Sequence, residues 1–231
     1  MNTFVDGIQF IGDNTGLIWD KTVQHLVLSG AAIGVAMAVA IPLGVWLGHL
    51  HRGSFLAINV SNVGRALPSL AVISIGLAFL GVGFLNVLVA LVILAAPVML
   101  TNAYVAVDQV DKDAVQAARA MGMLPRQVLL QVELPLALPL TFAGIRTASV
   151  YVVATATLAA LAGGGGLGDI ILNQATYGFA GVIAGSLAIA VLAFATEGAF
   201  ALLQYLVTPR GLRRRSESAL LEPAITPATN Q

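Results

Sequence analysis

The 231-residue chain is 58% hydrophobic and only 10% charged, with a mean hydropathy of +0.91, where an average soluble domain carries roughly 25% charge. That excludes a water-soluble globular domain and indicates an all-helical integral membrane protein, since a transmembrane barrel would show many short alternating strands. Formal net charge is zero and cysteine is absent; the total says nothing about nucleic-acid or acidic partners, of which no nucleic acid is expected, and disulfides, thiolate catalysis and cysteine metal sites are excluded.

Before the first apolar run stand Asp6, Asp13 and Asp20 with no basic n-region, so residues 1–24 read as an extracytoplasmic segment and not as a cleaved signal peptide. Five spans follow, at residues 25–48, 55–80, 85–107, 137–161 and 180–207, each close to the about 20 residues a helix needs to cross hydrocarbon. Gly30, Gly34, Ala38 and Gly44 give the first span small residues for close packing. The second is polar in its first half, with Asn59, Ser61, Asn62, Arg65 and Pro68, and is expected to be buried among other helices.

Lys21 precedes the first span, whereas Arg52, Arg65, Lys112, Arg119, Arg126, Arg146, Arg210, Arg213, Arg214 and Arg215 gather in or near loops and tail on the other side. The positive-inside rule then places the N-terminus outside and the C-terminus in the cytoplasm, as an odd span count requires. The transmembrane domain is residues 25–207, with a cytoplasmic loop at 108–136. Residues 208–231 form a Ser, Glu, Pro, Thr and Asn rich tail expected to be disordered.

The loop contains "VQAARAMGMLPRQVLLQVELPLALP", residues 115–139. Asp111 or Asp113 caps a helix whose strong formers run to a stop at Gly122. Pro125 suits the first turn of a second helix, and Pro135 and Pro139 mark the turn into the fourth span. Two short helices with a glycine elbow result, the first with the small surface of Ala117, Ala118 and Ala120.

Residues 116–135 match the spacing E-A-A-x3-G-x9-I-x-L-P, reading Gln116, Ala117, Ala118, Gly122, Val132, Leu134 and Pro135. This resembles the coupling motif of ATP-binding-cassette importer permeases. "RALPSLAV" from Arg65, "VELPLALPLTFAGIRTA" from Val132 and "ATLAALAGGGGLGD" from Ala156 resemble the permeases of osmoprotectant importers, which carry glycine betaine, choline, carnitine or proline betaine. The related methionine permeases share the five-span core. The resemblance covers about residues 60–175 and implies that the loop seats in a cleft of a cytoplasmic ATPase. Ala117, Ala118 and Gly122 would fill that cleft, while Val132, Leu134 and Pro135 fix the loop to span four. Gln116 replaces the usual glutamate, keeping hydrogen bonding but losing a charge.

Several residues stand outside the motif. Arg65 and Arg146 lie near cytoplasmic span ends, where they snorkel, tie helices together or touch substrate. Glu197 sits inside span five without a basic partner nearby in sequence, and either lines a path or joins helices. "GGGGLGD", residues 163–169, lacks the Lys-Ser/Thr of a P-loop and follows a membrane helix. This loop, with Gly165, Gly166 and Asp169, is a candidate for a flexible outer gate or a binding-protein contact, against a plain glycine turn, and Pro68 is a candidate for the translocation path or gate. His25, His49 and His51 are too scattered for a metal site and are expected at the interface. "RGLRRR" reads as a positive-inside anchor touching anionic lipid. No catalytic constellation or Walker motif is present.

The resemblance implies one permease subunit of an ATP-driven importer in the bacterial inner membrane. It binds no cofactor itself and works with two ATPase subunits that use ATP, a second permease copy or homologue, and an extracytoplasmic binding protein. With only 6% aromatic residues, little cation-π recognition of betaines is expected within the chain. An amino-acid importer of the methionine type is the near alternative. An ion-gradient carrier using Glu197 or Asp169 is the alternative from another class.

Overall fold

A computed structural model of the protein describes residues 3–208, apart from the side chains at 56–58, 60, 63 and 65. Among the described residues, four helices are long and apolar enough to cross a membrane. The first, α2 (Thr15–His49), follows a short helix, α1 (Thr3–Asp13). At about 1.5 Å per residue, the 35 residues of α2 exceed the bilayer core. It therefore starts well before the expected span.

The core of the bundle is α5 (Phe84–Asp108), which α2 packs along. On α2 the buried face runs through Leu28, Ala32, Ala36, Ala40, Gly44 and Gly48, the four-residue spacing of one helical stripe. Apolar burial gives little drive between helices in lipid, so close packing of small residues does the work. At Gly44 it is close enough that a Cβ would stand 2.5 Å from Leu100 O. Gly30 and Gly34 meet nothing within 4 Å, and Ala38 is exposed. Of the four small residues expected to pack, Gly44 does and the other three face outward.

The expected second span is two helices, α3 (Ser54–Ala66) and α4 (Ser69–Leu80), both against α5. Pro68 separates them, because it has no N–H to donate and its ring disfavours helical geometry at Leu67. Their 13 and 12 residues each span only about 20 Å. Buried Asn86 on α5 donates its Nδ2 to Ile73 O of α4 at 3.3 Å, while its Oδ1 finds no partner among the described residues.

Beyond α5 lie α6 (Lys112–Ala120) and α7 (Pro125–Val128). A π-helical turn, Leu129–Glu133, then joins α7 to α8 (Leu134–Thr155), and a 3₁₀ turn, Ala156–Ala162, closes that rod. The expected turn at Pro135 and Pro139 is absent. Pro135 occupies the first turn of α8, where its missing N–H costs little, and Pro139 is taken up inside the helix.

The short α9 (Gly168–Leu172) leads to α10 (Gln174–Val207), which bends at Gly178 with φ 65°. Asn173 caps α10 by accepting from Thr176 N. Helix α1 lies on α10, with Gly7 against Ile183 and the Phe10 and Tyr177 rings edge to face at 6.4 Å.

Candidate functional site

The segment from Asp111 to Pro135 forms the predicted two helices and elbow. The Asp111 carboxylate accepts from Asp113 N at 2.9 Å, so Asp111 is the cap. Helix α6 stops because Gly122 adopts φ +84°, a left-handed conformation that favours glycine. Pro125 opens α7, and the Gln127 side chain reaches back to accept from Leu124 N at 2.8 Å.

The faces of α6 differ from expectation at one position. Gln116 and Ala117 are exposed, but Ala118 is 2% exposed and packs inward with Val115, Val107, Val128 and Ala137. Helical periodicity puts Ala118 on the same face as Val115, so it cannot enter a partner's cleft. Beside Gly122, whose missing Cβ would meet nothing within 4 Å, two large apolar side chains stand in the open instead, Met121 and Leu124. Sequence reasoning missed them; apolar residues flanking a glycine elbow were the available signal. Val132, Leu134 and Pro135 are half-buried, and Val132 packs against the cluster around Ala118.

Behind α6 is a cavity of about 320 Å³ lined by His51, Asp108, Lys112, Gln116, Arg119 and Glu133, among others. His51 Nδ1 lies 2.9 Å from Asp108 Oδ1, and His49 Nδ1 lies 2.5 Å from Glu133 Oε2. Glu133 is missing from the motif-based set, since it falls on one of the variable positions of the spacing.

At the opposite end of α2, Lys21 Nζ donates to Asp169 Oδ2 at 2.6 Å, and Gly166 N donates to Gln24 Oε1 at 3.2 Å. The glycine loop is packed here. Gly166, Leu167 and Gly168 are buried, and a Cβ on Gly165 would stand 2.8 Å from Gln24 Oε1. Its glycines are needed for close approach within the chain. A cavity of about 360 Å³ adjoins it, lined by Lys21, Asp169, Asn173 and Tyr177 among others.

His25 also departs from expectation. It is fully buried, with Nε2 2.8 Å from Val153 O, because the inward stripe of α2 begins there. Glu197 has the basic partner that proximity in sequence did not reveal. Arg146 Nε lies 3.0 Å from Glu197 Oε1, its Nη1 donates to Gln204 Oε1 at 3.3 Å, and Gln204 Nε2 donates to Pro139 O at 3.0 Å. The network ties α8 to α10. Pro68 lies at the α3–α4 break, remote in the chain from that network, and the Arg65 side chain lies outside the described residues.

Residues 40–213 match the family described as binding-protein-dependent transport system inner membrane component. The chain belongs to this family. The permease is 36% identical over 215 residues to the choline transport system permease protein OpuBB of Bacillus subtilis (strain 168), covering 91% of this permease and 97% of that relative. It is 36% identical over 213 residues to the glycine betaine/carnitine/choline transport system permease protein OpuCB of the same organism, covering 90% and 96%. OpuCD of that transport system also matches, at 31% over 202 residues, covering 87% and 88%, so the named system has two permease proteins similar to this one. The methionine ABC transporter MetNI, solved in inward-facing conformations, shares the permease's fold at TM-score 0.74 and 21% identity, over 84% of this chain and 98% of that one.

Proposed function

We propose that the permease forms the translocation path for a small osmoprotectant, of the class of glycine betaine, choline, carnitine or proline betaine. The observation that carries this is 36% identity along nine-tenths of the chain to permeases named for choline and for glycine betaine, carnitine and choline. Hydrolysis of ATP belongs to a separate cytoplasmic ATPase, which seats on the exposed elbow of Gln116, Ala117, Met121, Gly122 and Leu124. Val132, Leu134 and Pro135 connect the seat to α8. The motif spacing and the exposure of those side chains support this seat.

In this reading the N-terminus is outside, following the positive-inside rule. Gly165, Gly166 and Asp169 belong to the outer end, where an extracytoplasmic binding protein delivers solute. A second permease, identical or homologous, completes the path, as two similar permeases in one named relative system suggest. Pro68 and the Arg146–Glu197 pair are placed beside that path, and Arg65 is carried with them. ATP binding drives the cycle only if the closed ATPase favours one permease state over the other.

The test is purification of the tagged permease from its host in mild detergent, with mass spectrometry of bound proteins and of small molecules released from them. An ATPase and a binding protein carrying a quaternary ammonium solute are expected. A released amino acid would move the substrate to the methionine type; no ATPase after cross-linking would overturn the importer reading.

A further inference from the structure

Glu133 takes no part in the exposed seat, yet it is the most deeply placed carboxylate at that end of the bundle, at 1% exposure. Taking an ion out of water is costly unless a partner compensates. Here the partner is His49, the last residue of α2. The other carboxylate oxygen, Oε1, makes no hydrogen bond among the described residues, so His49 holds this side chain. The charged groups facing the pair are His51 from the α2–α3 connection, Asp108 from α5, and Lys112 and Arg119 from α6. His51 and Asp108 are engaged with each other.

Two features give the contact a mechanical meaning. Glu133 closes the π-helical turn between α7 and α8, where the hydrogen-bond ladder widens from i→i−4 to i→i−5, Leu134 N donating to Leu129 O. A push at α6 reaches α8 through this locally altered turn. Helix α2, in contrast, is locked along α5 by Gly44 and Gly48, where a Cβ would meet Leu100 O at 2.5 Å and Tyr104 O at 2.7 Å. A displacement delivered at His49 moves a tightly packed pair.

We infer that Glu133 and His49 form a strut that passes movement of the α6–α7 seat directly into α2, in parallel with the covalent route into α8. Both are positioning residues and touch no solute. The inference rests on the proposed ATPase seat, and it predicts uncoupling: hydrolysis without transport.

The experiment uses the whole importer in liposomes, with uptake and ATP hydrolysis read in the same vesicles. Absence of cysteine from this chain makes a H49C/E133C pair a clean probe. Glu133→Ala is expected to keep the ATPase bound and hydrolysis within about twofold, while uptake falls by about tenfold or more. His49→Ala reads the same contact from the helix end if Glu133→Ala does not assemble. Glu133→Gln, which can still hydrogen-bond, should lose less than about threefold. The cysteine pair should behave like Glu133→Ala until a side-chain-length thiol cross-linker joins it, after which uptake returns and reductant abolishes it again. Normal uptake by Glu133→Ala overturns the strut. So does a parallel loss of uptake and hydrolysis that cross-linking leaves unchanged, which marks a role in stability alone. If the parent permease retains no ATPase, the seat itself fails, a result visible before any variant is made.

Discussion

Lys21 and Asp169, 148 positions apart in the chain, meet through Nζ and Oδ2 at 2.6 Å. With Gln24 holding Gly166 N, the start of α2 and the glycine loop are clasped together. The side chains are 20% and 30% exposed, so the pair is worth up to about 1 kcal/mol. Reversing one charge replaces attraction by repulsion; Asp169→Lys is expected to lower uptake several-fold. The swapped double variant K21D/D169K should recover most of that loss. Solute uptake by cells lacking other betaine carriers is the measurement, and no recovery in the double variant would remove the ion pair from the account.

Gly168 has no room for a side chain, since its Cβ would overlap the Thr157 carbonyl, a backbone group that cannot rotate aside. Overpacking of this kind costs about 1–3 kcal/mol or more. Gly168→Ala should sharply reduce membrane yield and resistance to heating in detergent. Gly198, with nothing within 4 Å, is the control: Gly198→Ala should leave both unchanged.

The elbow predicts a different outcome, loss of a partner without loss of the membrane part. Gly122→Leu meets open space within the chain but forces a branched residue to φ +84°, at a local cost of about 1–2 kcal/mol. Met121→Asp introduces no such strain and removes an exposed apolar side chain. Both should abolish co-purification of the ATPase while the permease still elutes as a folded species. Full retention of the ATPase by both would exclude the elbow as the seat.

Glu197 separates the importer from a gradient-driven carrier. Glu197→Gln preserves a hydrogen-bond acceptor for Arg146, and interhelical hydrogen bonds in membranes are worth about 0.5–2 kcal/mol. Uptake is expected to persist within about threefold and to remain dependent on ATP. Complete loss, with uptake by the parent abolished by a protonophore, would favour Glu197 as an ion-coupling carboxylate.

How much of this was readable beforehand depends on whether the signal was local. Asp111, Gly122 and Pro125 act through their own backbone neighbourhood, so the two-helix segment and its elbow followed from residue type alone. The pairs Lys21–Asp169, His49–Glu133 and Arg146–Glu197 arise where distant helices meet, and no spacing rule announces them. Ala118 shows a subtler limit: the motif named the residue, but only its register with Val115 told which way it faces. The break at Pro68 was visible as a proline in a polar half-span, yet length and hydropathy favoured one long helix over two short ones.

That break has a consequence for hydration. The last carbonyls of α3 lack helical donors, and Pro68 brings no N–H to the carbonyl of Gly64 four residues earlier. In hydrocarbon each bare carbonyl would cost several kcal/mol. Acyl chains cannot cover this point; whatever lies against it must offer hydrogen-bond donors. At Pro68 that demand falls on neighbouring polypeptide or on water, and not on lipid.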